Sequence, residues 1–162
     1  MAVDIRPMTV EDKTAIDEIL QATSEFTLTE VKIARELIDL YLEYGISSDY
    51  HILVAGTDNT PAGYICFGPT PLTEGTWDIY WMAVDPEKKR QGIGSRLLDT
   101  AESSIRKTKG RLILIETSSK PEYEKTRKFY ESRGYGTIAR IPDFYTPGDD
   151  KVVFEKRLDN KF

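Results

Sequence analysis

The feature that most constrains this chain is the run Met82-Ala83-Val84-Asp85-Pro86-Glu87-Lys88-Lys89-Arg90-Gln91-Gly92-Ile93-Gly94-Ser95-Arg96-Leu97-Leu98, where a strand gives way to a loop and two glycines then open a helix. Upstream, residues 76–84 read as a long strand that stops at Asp85-Pro86, because proline has no N–H to offer a ladder. Downstream, Ile93, Leu97, Leu98, Ala101 and Ile105 recur at helical spacing over residues 91–107. Residues 111–117 then carry Leu112, Ile113, Leu114 and Ile115 without interruption, a strand apolar enough to be expected buried on both faces. A strand–helix–strand crossover of this kind sets its two strands parallel, with a right-handed connection. Ligands in such sheets sit beyond the carboxyl ends of the strands, here residues 82–85 and 116–118.

The remaining elements follow from periodicity. Residues 4–6 read as a short strand, and Thr9, accepting from the N–H three residues on, opens a helix with Ile16, Ile19 and Leu20 on one stripe. After a break at residues 22–28, Val31, Ala34, Leu37, Ile38, Tyr41 and Leu42 define a second helix over residues 29–44 that ends at Gly45. Residues 51–55 and 63–67 read as a hairpin around Asp58-Asn59-Thr60-Pro61. A last helix over 123–133 ends at Gly134, and strands over 135–141 and 152–158 close the chain. The order β-α-α-β-β-β-α-β-α-β-β predicts an α/β architecture, a mixed sheet flanked by helices. With no repeat or linker in its 162 residues, one domain covering 1–162 is expected.

Composition narrows the function classes. At 40% hydrophobic and 30% charged the chain is neither disordered nor a membrane protein, and no apolar run approaches the ~20 residues of a spanning helix. Residues 1–9 carry Asp4 and Arg6 and no signal-peptide core, and Cys66 stands alone. Cytoplasmic residence is expected, without a disulfide and without a metal. His51 opens a strand with no metal partner in sequence and is expected to be structural, and Cys66 is expected to be an inert buried thiol. The net charge of −5 argues against nucleic-acid and membrane partners and favours cationic ones. It leaves room for a local anion site, since backbone N–H groups hold phosphates without net positive charge.

Gly92 and Gly94 stand where such a site would form. Glycine lets the backbone approach a ligand, the first helical N–H groups lack partners, and the helix dipole favours an anion there. A P-loop would need Lys-Ser/Thr after the second glycine, and Ser95-Arg96 does not supply it. A dinucleotide fingerprint would need a third glycine or alanine at Leu97 and a tight turn, whereas residues 85–89 intervene, although Glu116 falls near the expected acidic spacing. Taken alone, two glycines would equally suit a helix that merely packs on the sheet.

The whole run resembles the acetyl-CoA-binding motif of the GNAT N-acetyltransferase superfamily, Arg/Gln-x-x-Gly-x-Gly/Ala. It matches at Gly92 and Gly94 and departs at Lys89, where the family prefers Arg or Gln. Phe129-Tyr130-Glu131-Ser132-Arg133-Gly134-Tyr135 is similar to the family's Phe/Leu-Tyr-Glu-x-x-Gly-Phe, and the resemblance covers most of the chain. It implies a central mixed, mostly antiparallel sheet with one parallel strand pair, flanked by about four helices. It also implies an acetyl-CoA-dependent N-acetyltransferase that acts on a primary amine of a small molecule, peptide or protein by direct transfer in a ternary complex. The non-catalytic alternative is an acyl-CoA-binding sensor of the same fold. The main chain of Met82, Ala83 and Val84 would pair with the pantetheine arm, between strands that splay at their carboxyl ends. Amides from Arg90, Gln91, Gly92, Ile93, Gly94 and Ser95 would hold the pyrophosphate; Lys88, Lys89 and Arg90, in the first place a solvated turn, could meet the 3′-phosphate, with Arg90 the stronger candidate. Tyr123 stands where the family often has an Asn that touches CoA, and association into a homodimer is left open.

Acetyl transfer needs the amine proton removed, an oxyanion donor such as the N–H near Val84, and a proton for the departing thiolate. Tyr130 matches the tyrosine the family points at the CoA sulfur, and a phenol of pKa ~10 can give that proton; the rival role is a core tyrosine. Two carboxylates compete for the base. Glu116, placed first, ends the buried strand where some protein N-terminal acetyltransferases carry one. Asp78, on the adjacent strand, is in register with the glutamate of histone-type members. Tyr123, Arg127 and Tyr130 are expected on one helical face, and Trp77 and Trp81 on one strand face, with one of them lining the acceptor cleft. The acceptor is expected to enter near residues 21–28 and a loop at 142–150, whose mix of aromatic and acidic groups suits a cationic amine.

Overall fold

The computed structural model describes residues 2–158. In chain order these form β1 (Val3–Pro7), α1 (Lys13–Ala22), α2 (Leu28–Tyr44), β2 (His51–Thr57), β3 (Thr60–Pro69), β4 (Thr76–Val84), α3 (Ile93–Lys107), β5 (Leu112–Ser118), α4 (Glu124–Ser132), β6 (Gly136–Thr146) and β7 (Asp149–Arg157), with short 3₁₀ turns between some of them. The element order expected from periodicity is the observed one. The strands make one seven-stranded sheet in the order β1-β2-β3-β4-β5-β7-β6, antiparallel except where β4 meets β5. The fold is therefore the mixed, mostly antiparallel α/β sheet with one parallel pair and four longer helices that the sequence led us to expect.

Each face of the sheet buries its own cluster. Ile16, Ile19 and Leu20 of α1 and Val31, Ala34 and Ile38 of α2 close over Ile52, Val54, Tyr64 and Cys66. On the opposite face Ile93, Leu97, Leu98, Ala101 and Ile105 of α3 pack with Trp77, Ile79, Ile113, Ile115 and Phe154, joined by Tyr130 of α4. These are the apolar stripes read from helical spacing. Thr27 caps α2 by accepting from the Glu30 amide at 3.1 Å, and Gly45 ends it at φ +59.

Several local expectations are corrected. The β2–β3 turn uses only Asp58 and Asn59, both left-handed at φ 50 and 63, so Thr60 and Pro61 already belong to β3. At the first helix the cap is reciprocal: Thr9 and Asp12 form a capping box in which the Asp12 carboxylate accepts the Thr9 amide at 2.9 Å. In β5 alternate residues, Ile113, Ile115 and Thr117, are buried, while Leu112 and Leu114 are half-buried because α1 and α2 cover the other end of the sheet. The segment 142–150 is not a free loop but the bulged tip of the β6–β7 hairpin, where the register jumps between Ile141 and Thr146. No helix among the described residues is long and apolar enough to cross a membrane.

Candidate active site

One irregularity builds the site. Between β3 and β4, Cys66 faces Trp81 but Phe67 faces Ile79, so Tyr80 is an extra residue on β4. A bulge bends its strand and breaks the alternation of side chains. Trp77 therefore packs with the α3 face, whereas Trp81 packs with the α1–α2 face. The two tryptophans lie on opposite faces, contrary to the expectation from strict alternation; Trp81 is the one that lines the cleft.

At the same point β4 leaves β5. Their parallel pairing runs only from Thr76↔Leu112 to Ile79↔Ile115. Beyond it β4 continues to Val84 held by β3 alone, and β5 continues to Ser118 held by β7 alone. The strands thus part at their carboxyl ends, and the main-chain edge of β4 from Tyr80 onward faces no strand among the described residues. A cleft occupies the gap in two joined halves of about 760 Å³ and about 540 Å³. Phe26, Met82, Tyr123, Thr126 and Tyr130 line both and mark the junction.

The smaller half is bordered by Met82, Ala83, Val84, Lys89, Arg90, Gly92, Ile93, Gly94 and Ser95, so nearly all the residues expected to hold a cofactor stand together. Gln91 lies in the same loop without lining the cleft. Arg90 and Gly92 are left-handed at φ 69 and 75, the conformation from which anion-binding concavities of main-chain N–H groups are built. At Gly92 the positive φ calls for glycine, and a Cβ added there would meet only open space. The first backbone bond of α3 runs from the Arg96 N–H to the Gly92 carbonyl, leaving the amides of Ile93, Gly94 and Ser95 without helical acceptors. An open β4 edge leading to free amides at a helix start is the chemistry a pantetheine-diphosphate needs. The residues present therefore fit acetyl-CoA. Lys88, by contrast, is engaged with the Thr57 hydroxyl at 3.2 Å.

The larger half holds the candidate catalytic groups. Tyr130 is buried against Phe129, Tyr135 and Phe154, yet its hydroxyl has no hydrogen-bond partner among the described residues and it borders both halves. Burial pushes its pKa above that of an ordinary phenol, so it stays protonated. Asp78 is half-buried and accepts from the Thr70 hydroxyl at 2.6 Å. Burial raises its pKa, the Thr70 bond opposes this, and the negative charge of Glu116 adds to the rise. Glu116 is about half exposed (52% of its side chain) and ion-paired to Lys151 at 2.9 Å.

Tyr123 borders both halves, but its hydroxyl donates to Glu30 at 2.8 Å and to the Glu25 carbonyl at 3.3 Å. It ties the turn before α4 to the start of α2. Arg127, expected on the same face, instead donates to the carbonyls of Ser118 and Lys120 and braces the turn after β5. His51 stacks on Phe67 and lies beside Trp77, away from the cleft, and Cys66 is buried in the α1–α2 cluster. Sequence reasoning missed Thr70, because only the β3–β4 register brings it to Asp78. It also missed Phe26, although the segment holding it had been marked as a route for the acceptor.

Comparison with known proteins places this architecture. A GNAT-family protein from Desulfovibrio desulfuricans is 39% identical in sequence, with a TM-score of 0.92 over 96% of this chain and 99% of that one. The PaiA N-acetyltransferase of Thermoplasma acidophilum, solved in complex with coenzyme A, aligns over 98% of this chain and 100% of its own with a TM-score of 0.77; at 19% identity it speaks for the fold alone. The S-(2-succino)cysteine N-acetyltransferase of Bacillus subtilis (strain 168) is 27% identical over 92 residues, 57% of this chain, which spans about half (53%) of that relative's length. Residues 48–137, from before β2 to the start of β6, match the acetyltransferase (GNAT) domain family. The match holds the bulge, the splayed strands, the glycine loop and Tyr130, and with the 39% identical relative it shows that this chain belongs to the GNAT acetyltransferase family.

Proposed function

We propose that the chain moves an acetyl group from acetyl-CoA directly to a primary amine, with Asp78 taking the amine proton and Tyr130 supplying one to the departing sulfur. The observation that carries this reading is that Asp78 and Tyr130 border one cleft at the strand splay, one without a cationic partner and the other without any hydrogen-bond partner among the described residues. Acetyl-CoA supplies an activated thioester. The chain's own contribution begins with position: the free β4 edge and the amides at the start of α3 hold the cofactor arm, and the larger half holds the amine beside it.

The surroundings favour Asp78 over Glu116 as the base. An exposed carboxylate already paired to a lysine is a poor proton acceptor. A half-buried one with a raised pKa and only hydroxyl neighbours is better poised. Glu116 then acts at a distance, its charge strengthening the hold of Asp78 on a proton. Asp78 takes one proton from the bound ammonium; as the C–N bond then forms and the C–S bond breaks, Tyr130 protonates the departing thiolate and is reprotonated by the second proton that the nitrogen sheds. A buried, neutral phenol at the junction suits that step, although burial also makes it a weaker acid than a phenol in water.

Direct transfer requires both substrates to be present at once. Initial velocities measured against acetyl-CoA at several fixed amine concentrations are expected to give intersecting double-reciprocal lines. Parallel lines would indicate an acetylated enzyme and overturn direct transfer.

A further inference from the structure

The charge balance of the larger half says more about the acceptor than the reaction itself does; this inference rests on that half being the amine site. Four carboxylates border it, Glu30, Asp78, Glu116 and Asp149. Three of them are already answered. Glu116 pairs with Lys151 at 2.9 Å. Asp149 accepts from the Ser118 hydroxyl at 2.5 Å and has Lys120 at 3.8 Å. Glu30 accepts from the Tyr123 hydroxyl at 2.8 Å and the Thr27 amide at 3.4 Å, in the first turn of α2, where the helix dipole favours a negative charge. Of the four, Asp78 alone has neither a cation nor a helix terminus beside it among the described residues. Its partner is the Thr70 hydroxyl, with the Tyr80 phenol nearby.

Positive charge is equally spoken for. Lys120 is the one basic side chain among the described residues that line this half, and its neighbour is Asp149. Between these charges, alongside hydroxyls such as Thr29, Thr126 and Thr146, the lining carries the apolar and aromatic side chains of Phe26, Ile33, Leu37, Tyr80, Trp81 and Tyr145. Phe26 meets Trp81 edge-to-face at 5.3 Å. Ile33 and Tyr145 are 46% and 47% exposed, a sizeable apolar area left for a bound molecule to cover.

We infer that the acceptor is a monoamine, its one ammonium group carried on an aromatic or branched apolar body and accompanied by no carboxylate. The ammonium is drawn to Asp78 and to the faces of Tyr80 and Tyr145, and the body lies against α2 and Trp81. A polyamine or aminosugar brings further cations that find no unanswered anion, and capturing Glu116 would strand Lys151. An amino acid with a free carboxylate brings an anion with no cation to meet it, so the acceptor class of the Bacillus subtilis relative does not carry over to this cleft.

The test uses the full chain with saturating acetyl-CoA and compares kcat/KM, read as thiol release, for phenethylamine, spermidine and L-aspartate. Phenethylamine is expected to exceed both others by about 10-fold or more, the scale on which apolar pockets discriminate. Ile33→Glu, at an exposed wall position, adds an unanswered carboxylate and is expected to reduce the phenethylamine-to-spermidine ratio about 10-fold, with the KM for acetyl-CoA unchanged. Spermidine or aspartate serving as well as phenethylamine in the native chain would overturn the inference, as would an unaltered ratio in folded Ile33→Glu. No thiol released with phenethylamine, while acetyl-CoA binding is seen by calorimetry, would also overturn the inference; amine acetylation itself would fall only if a panel of small-molecule and peptide primary amines released none.

Discussion

Asp78→Asn is expected to lower kcat/KM by ~10²–10⁴-fold, the usual contribution of a general base. The substitution keeps the side chain's shape and removes its basicity. Because Asp78 must be ionised to accept a proton, activity should fall as pH drops through its pKa, which burial and the charge of Glu116 hold above the ordinary aspartate value. The acidic limb of the kcat/KM profile should therefore lie higher than a free carboxylate would place it, and Asp78→Asn should abolish it. Glu116→Gln should cost far less, yet it should move that limb to lower pH: removing a neighbouring negative charge makes protonation of Asp78 less favourable. Stability supplies a control. The fold already disfavours the ionised form of Asp78, so a neutral isostere should leave Tm unchanged or slightly higher at neutral pH. A lower Tm accompanying the loss of activity would point to a structural role instead, and a larger loss in Glu116→Gln than in Asp78→Asn would return the base to Glu116.

Tyr130→Phe is expected to reduce kcat by about 10–100-fold, some 1.4–2.7 kcal/mol of transition-state stabilisation, with KM for acetyl-CoA little changed. The phenyl ring keeps its contacts with Phe129, Tyr135 and Phe154. The hydroxyl has no protein partner among the described residues to lose, so stability should hold. Turnover at the native rate would make Tyr130 a packing residue alone.

Much of this was legible because a few residues impose long-range geometry. Gly92 and Gly94 after a strand, followed by a helical stripe and the run Leu112–Ile115, force a parallel crossover with a ligand site at one end of the sheet. The apolar stripes of Ile16, Ile19 and Leu20, and of Ile93, Leu97 and Leu98, ended in the two cores that their spacing required. What escaped depends on pairing partners that sequence does not display. The bulge at Tyr80 exists because β3 and β4 differ by one residue in register, and it alone sends Trp81 to the face opposite Trp77. The contrast between Asp78 and Glu116 is likewise a matter of neighbours. Lys151 reaches Glu116 because β7 lies beside β5, and Thr70 reaches Asp78 from the end of β3. The carboxylate placed first in sequence, Glu116, thereby acquires a lysine partner, and the one placed second, Asp78, does not.

Product stoichiometry reports on whether the splay joins a cofactor half to an amine half for direct acetyl transfer. The chain is incubated with acetyl-CoA and phenethylamine, and free thiol and N-acetylated amine are quantified together, the latter by mass spectrometry. Direct transfer yields the two in a one-to-one ratio, dependent on the amine, and both suppressed together in Asp78→Asn. Thiol accumulating without acetylated amine would reveal hydrolysis, and tight acetyl-CoA binding with neither product from any primary amine would identify a sensor; either result would rule out direct acetyl transfer.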